Sequence, residues 1–572
     1  MPNFQAPGRG SAPHRGSAPG RPAPRSRRTF LAGAAAVTAA AAGGLPLLSG
    51  CSSGESTNRG GTTSGKDLRK LLPAHVASRA SDPDIPSRNG SSPGFTRAPA
   101  PGDLTASVRG KPGRGGTYTA FTPLWGTPPP KDAAYYRAVN EALGAEIRWQ
   151  TQDGNTYGEK LSAVLASDGI ADIVCVPQWE MQGRIHGAIS AKFADLGPYL
   201  SGDKVKKYPN LAAIPTAAWQ MSVFGGKLRG LPMPARPLGG VVPFYRQDLF
   251  ENEGWEVPDS PDAFLALAKE ITRPASKRWA CEDMWWSAQI IFGCPPEKPY
   301  YWTERDGKLV HKVETDAWLE ALEWTRKLYA AGVVHPDAVA GKANDAATRF
   351  TSGQSLMMND GDAKWYGLTF EQAAANPDFR IQAMDFFGPG GGDPVLYRGA
   401  PASLWSFLNK KLSKERIEEC LAIADFIAAP YGTREQRLID YGTEGEHHTI
   451  EDGVPVKTEK GVKEVQDTYR FIVSAEAAVA YPDHPRVVKD YCGWMQRMGA
   501  HMRKPLFHGM QIQEPTRYAS LYTPFEDLAK DVVRGRKSLR DAQRAVTDWR
   551  KGGGDKLRDW YAELLEKNGS GV

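Results

Sequence analysis

An α/β fold is predicted from three observations: strand-like apolar runs alternate with amphipathic stretches from Gly116 onward, those stretches begin and end on capping residues, and composition is that of an ordinary globular chain. At 41% hydrophobic and 24% charged, 572 residues are enough for two to four domains on a soft prior of about 150 each. Wholesale disorder and a polytopic membrane protein fit poorly.

The elements follow in order. Gly116 to Phe121 reads as a strand, residues 132 to 143 as a helix stopped by Gly144, and Ala145 to Gln150 as a second strand. Residues 156 to 167 read as another helix, followed by the apolar strand Ala171 to Val176. Strand and helix alternating at this spacing predict a parallel sheet covered by helices, with ligands outside the carboxyl ends of its strands. That rule points to the loops Thr122 to Trp125 and Pro177 to Glu180. A second block opens after Pro234. Ser260 before Pro261 starts a helix with Phe264, Leu267, Ala268 and Ile271 on one face, and Thr315 caps a longer one that ends near Gly332. Leu356 to Met358 reads as a strand leading into the polar loop Asn359 to Asp362. Ser413 caps a helix carrying Ile417, Leu421, Ala424 and Ile427, and Gly552 to Gly554 separates two terminal helices. There is no internal repeat.

The amino-terminal region differs from the body. Six arginines and no acid lie in residues 1 to 50; without them the chain carries 65 basic against 65 acidic residues. The basic surplus belongs to the leader, so no nucleic-acid partner is expected. Arg27-Arg28 ahead of Phe30-Leu31 and an Ala-rich run resembles a twin-arginine export signal, and Leu48-Ser49-Gly50-Cys51 resembles a bacterial lipobox, which places a lipid on Cys51. Residues 1–50 are therefore expected to be a signal peptide. Residues 51–114, rich in Ser, Gly, Pro and Thr, are expected to be a flexible tether reaching roughly 40 to 50 Å. Five cysteines remain; spacing permits a Cys281–Cys294 disulfide without fixing it, and the absence of any Cys-x-x-Cys argues against a thiolate zinc site.

Several body segments in their order resemble the extracellular solute-binding proteins of ABC importers, in the lipoprotein branch that includes oligosaccharide binders. They are Gly230-Leu231-Pro232, the run Phe244 to Trp255, Pro258 to Phe264, Leu328 to Asp337, Phe350 to Met358 and Tyr441 to His447. The resemblance implies two α/β lobes, each a sheet flanked by helices, joined by crossing strands at a hinge. The first lobe is expected over 115–240 with a return near 400–435, the second over 241–399 and 436–572. Some relatives carry a calcium loop; Glu304 to Lys308 lacks its alternating carboxylates, so no metal and no cofactor is expected.

All sixteen tryptophans follow residue 115, and aromatic faces suit the apolar C–H faces of sugar rings. Trp318, Trp324, Trp549 and Trp560 follow helical spacing and read as core. Trp125, Trp179, Trp365 and Trp405, with Tyr245 and the pair Trp285-Trp286, stand at predicted strand ends or crossings and are the candidate ligand contacts. Arg246, Asp360, Asp362, Glu446 and His447 are candidate partners for sugar hydroxyls, or equally helix caps and surface pairs. Paired acids admit a glycoside hydrolase as the alternative, but Asp360/Asp362 spacing is too common to argue one, and there is no Gly-x-Ser-x-Gly, His-Glu-x-x-His or Walker loop. The expectation is a non-enzymatic, monomeric binder, lipid-anchored outside the cell membrane, that delivers a carbohydrate to permease subunits; a peptide or other solute remains the further alternative.

Overall fold

The computed structural model describes residues 60–63, 65–77, 80–181, 184–238 and 240–570, within a unit that begins at Ser53. The expected signal peptide and Cys51 lie outside the described residues.

Two sheets organise the body. The first contains β1 (Thr117–Leu124), β2 (Glu146–Asp153), β3 (Ile173–Pro177) and β4 (Gly230–Pro234). The second contains β5 (Val242–Arg246), β6 (Trp279–Cys281), β7 (Ser355–Asp360) and β8 (Ile381–Ala383). The chain then returns to the first sheet with β9 (Ala402–Leu408), giving orders β2-β1-β3-β9-β4 and β8-β5-β7-β6. β1 pairs in parallel with β2 and β3, the arrangement the alternating pattern predicts, whereas β9 runs antiparallel to both its neighbours.

Helices cover both sheets. Ser260, Thr315 and Ser413 accept the N–H of Ala263, Trp318 and Arg416 through their hydroxyls and begin the helices Pro261–Ile271, Asp316–Ala330 and Lys414–Ile427. Each lobe has its own core. Val139, Leu161, Val174 and Leu421 are buried in the first; Phe264, Leu322, Phe350 and Met357 are buried in the second.

Two expected boundaries need correction. The return to the first lobe does not stop near 435, because Ile439, Val465, Tyr469, Ile472 and Val473 all belong to its core, and Tyr469 packs edge-on against Trp149 at 4.8 Å. Only from about Val479 does the chain rejoin the second lobe. The described part of the expected tether is also not free. Gly94 and Phe95 pair in parallel with Val479 and Ala480, Phe95 packs on Tyr431 at 4.4 Å, and Leu68 is buried in the first core. The Glu435 carboxylate accepts the N–H groups of Ser107 and Val108 at 3.0 and 2.9 Å, and Gly61 donates to the Gln513 carbonyl at 2.7 Å. This segment has little core of its own; it is ordered by hydrogen bonds and a few apolar anchors on the body. The described residues between 60 and 114 thus form a strap touching both lobes.

Candidate functional site

Strand direction decides where a ligand can bind. β1, β3 and β4 all run toward the edge of the first sheet where β9 begins, since Ala402 is opposite Pro234 and Leu404 opposite Pro177. In the second sheet β7 ends at Asp360 opposite Val242, the first residue of β5. The segment from Pro234 to Val242 therefore leaves one lobe and enters the other at carboxyl edges, so these edges face the same crossing. Two further crossings accompany it. Ala235 donates to the Pro401 carbonyl at 3.0 Å, Gly399 to the Pro237 carbonyl at 3.0 Å, and Arg236 Nη2 to the Ala478 carbonyl at 2.8 Å. Three connections laced together in this way form a hinge.

On the first wall, Trp125 follows β1 directly and Trp179 lies in the turn Gln178–Glu180 after β3. They remain 40% and 49% exposed. Their rings meet at 6.0 Å and 61°, and Trp125 also meets Phe471 at 5.7 Å. Beneath them Leu124, Cys175, Leu404 and Phe471 form a small apolar bed, with Met233 against it. The platform relies on Gly154, where an added Cβ would lie 2.1 Å from the Trp125 ring.

On the second wall Asn359 joins the end of β7 to the helix Trp285–Ile291. Its Oδ1 accepts from the Ser287 N–H and hydroxyl at 3.0 and 3.1 Å, and its Nδ2 donates to the Asp283 carbonyl at 3.1 Å. That helix carries Trp286, 55% exposed, beside the half-buried Trp285. Asp360 accepts the Gly361 N–H at 2.7 Å, and burial raises its pKa above the ordinary carboxylate value. Asp362 is held by Arg236 from the crossing and by the Tyr491 hydroxyl, which donates at 2.6 Å. Near the hinge Arg470 donates to Asp440 through Nε at 3.0 Å, and its side chain is 43% accessible. Two pockets among the described residues are small by contrast, one of about 50 Å³ near Leu68 and Met510 and one of about 10 Å³ lined by Phe264 and Met284. The open walls are the surface that can take a solute.

Five expected contacts are built into the cores instead. Trp365 stands on the first turn of the helix Ala363–Gln372, where side chains lean back toward the amino terminus; it is buried against Phe244 and Tyr491 at 5.7 and 5.1 Å. Trp405 is mid-strand in β9 and buried against Phe224 at 5.7 Å. Tyr245 is buried on Phe250 at 4.9 Å. Arg246 grips Asp248 at 2.9 and 2.6 Å and donates to the Phe350 and Thr351 carbonyls, closing the carboxyl end of the helix Ala346–Thr351. His447 is fully buried; its Nδ1 accepts the Thr443 N–H at 3.1 Å and its Nε2 lies 3.3 Å from Glu464. Glu446 is exposed and pairs with Lys460 at 2.6 Å, which lowers its pKa. Trp125, Trp179, Trp286, Asp360 and Asp362 stand at the carboxyl edges, with Trp285 partly buried beside them. Sequence reasoning missed Arg236, Phe471, Arg470 and Tyr491, and it pointed to the loop of Glu180 without singling out that residue. Arg236 alone carried a local signal, lying between Pro234 and Pro237 in the crossing.

Cys175, Cys281, Cys294, Cys420 and Cys492 are buried free thiols, so the permitted disulfide is not formed. Residues Glu304 to Lys308 make a hairpin with Asp306 and Gly307 both at positive φ, a two-residue turn. Among the described residues no His, Cys, Asp or Glu group is arranged to hold a metal ion, and no helix is long and apolar enough to cross a membrane.

A family model of bacterial extracellular solute-binding proteins matches residues 134–442. The chain belongs to that family. Its members bind solutes, so this solute-binding protein is a binder, not an enzyme. It is similar to "Lipoprotein LipO" of Bacillus subtilis (strain 168), 22% identical over 493 residues that cover 79% of this chain and 93% of that one. Solved structures share its fold at low identity. The alginate-binding protein AlgQ2, solved without calcium ion, superposes with a TM-score of 0.58 at 14% identity over 80% of this chain and 97% of that one. An HMO-binding, ABC-transporter-associated solute-binding protein from Bifidobacterium longum infantis gives 0.57 at 12%, over 80% and 100%. The S. pneumoniae substrate-binding protein FusA in complex with kestose gives 0.56 at 12%, over 79% and 100%.

Proposed function

We propose that this solute-binding protein captures a carbohydrate, most naturally an oligosaccharide, outside the membrane and presents it to the permease of an ABC importer, held by a lipid on Cys51 after twin-arginine export. The observation that carries the reading is the exposed tryptophans on both walls: Trp125 and Trp179 on one lobe, Trp286 on the other. Exposed indoles over an apolar bed offer faces for the C–H sides of pyranose rings, while Asp360, Asp362 and Glu180 offer acceptors for hydroxyls. A solute touching both walls binds best when they approach, so its differential affinity drives closure about the three crossings. The relatives point the same way: one is named a lipoprotein, and several structures sharing the fold are named for saccharides.

The test is a thermal-shift and calorimetric screen of the full chain in mild detergent against neutral, amino and acidic oligosaccharides, with product analysis of each mixture. Binding raises the melting temperature and leaves the saccharide intact. Cleaved saccharide, or a response to peptides alone, overturns the reading. For export and anchoring, Cys51→Ser is expected to release the protein from membranes.

A further inference from the structure

One carboxylate on the first wall is held unlike the other acids around it. Glu180 ends the turn that carries Trp179, and its side chain lies across the first turn of the helix Tyr157–Ala166. A Cβ on Gly158 would lie 2.1 Å from Glu180 Oε2 and 2.6 Å from its carboxyl carbon, so only glycine leaves room for the carboxylate there. Glu180 is half-buried, burial raises its pKa, and among the described residues no donor or cation meets its oxygens. Each of its acidic neighbours across the walls takes at least one hydrogen bond. Asp362 has Arg236 and Tyr491, Asp440 has Arg470 and Gln436, and Asp483 accepts from the Tyr366 hydroxyl at 2.8 Å. Asp360 has the Gly361 N–H, with Lys364 in its field.

Two of the arginines near the hinge are committed as well. Arg236 serves Asp362 and the Ala478 carbonyl, and Arg470 serves Asp440. At Glu180 itself the charge offered to a ligand is negative. A partly dehydrated carboxylate without donors is an incomplete hydrogen-bonding set, and a ligand bringing O–H or N–H groups completes it. A second carboxylate or sulfate in the same place would add like-charge repulsion to that cost.

Resting on the carbohydrate reading, we propose that Glu180 is a specificity-determining acceptor of the binding wall, and that the ligand is a saccharide rich in hydrogen-bond donors and free of negative charge, neutral or amine-bearing, with acidic saccharides turned away.

The experiment titrates the full chain in mild detergent with cello-, malto- and galacto-tetraose, chitosan tetramer and tetragalacturonate, and repeats the best binder on Glu180→Gln and Gly158→Ala. The neutral and amine arms separate hydroxyl from ammonium donors. Glu180→Gln is expected to weaken that binder by about ten- to hundredfold, the range for a charge-assisted bond in a dehydrated site. Gly158→Ala keeps the charge but displaces the carboxylate, and is also expected to weaken binding. A readout without ligand guards the assignment. A carboxylate whose folded pKa is raised disfavours folding above that pKa, so Glu180→Gln should melt at or above the wild-type temperature at pH 7.5, with the gap closing toward pH 5. Tetragalacturonate bound more tightly than every other arm, wild-type affinity in Glu180→Gln, or a lowered ligand-free melting temperature in that variant each overturns the proposal while the carbohydrate reading stands. Failure of every saccharide to bind withdraws both.

Discussion

Trp125 and Trp179 stand in water over the first wall, whereas Trp365 and Trp405 are sealed inside the two cores, although all four lie in or beside sheet strands. The difference comes from backbone direction. A residue just past a strand's carboxyl end, in a loop or short turn, is released from the sheet and covers the edge, as Trp125 and Trp179 do. One on the first turn of the following helix leans back over the strand, as Trp365 does, and one in mid-strand faces the helix layer, as Trp405 does. Being near a strand end is therefore not enough; the residue must lie beyond it and before the next helix.

That contrast can be broken by substitution, and the largest effects belong to the buried pair. Trp365→Ala is expected to cost about 3 to 5 kcal/mol of stability, read by chemical denaturation, because a large ring leaves a cavity among Phe244, Tyr491 and Trp494. A cost below about 1 kcal/mol would place that ring on the surface and erase the contrast. Next come two glycines beside tryptophans. An added Cβ at Gly230 would lie 2.8 Å from the buried Trp405 ring, so Gly230→Ala should destabilise by about 1 to 3 kcal/mol through overpacking. Gly154→Ala presses on the exposed Trp125, which can swing outward, so the cost should stay under about 1 kcal/mol while saccharide affinity falls. Equal stability costs for the two would contradict the distinction. The smallest expected stability change is in Trp179→Ala, within about 0.5 kcal/mol of wild type, with affinity reduced about tenfold.

A second contrast concerns the strap. Its composition reads as a tether, yet Phe95 is buried on Tyr431 and Gly94 pairs with Val479. Glu435→Ala leaves the Ser107 and Val108 N–H groups without their acceptor and should cost about 1 to 3 kcal/mol while exposing the strap to protease. Unchanged proteolysis would return this segment to the status of a tether.

The helix starts at Ser260, Thr315 and Ser413 were legible because capping is local, and the β1-to-β3 sheet because its periodicity is local too. The family resemblance supplied the two lobes. The strap, the late part of the first lobe and the fate of Arg246 and His447 were not legible, since each depends on partners far away in sequence: Tyr431 for Phe95, Trp149 for Tyr469, the Phe350 carbonyl for Arg246, and a buried Glu464 for His447. The loop holding Glu180 was legible from strand direction, but the residue itself was not singled out, because its significance lies in what does not meet it.

The proposed grip joins aromatic walls from both lobes on one solute. It is tested most directly by calorimetric titration of a Trp125→Ala/Trp286→Ala double variant with the saccharide that binds the wild-type protein best. The double variant is expected to show an unchanged melting temperature without ligand and a loss of affinity larger than either single substitution produces. Wild-type affinity in the double variant would contradict it.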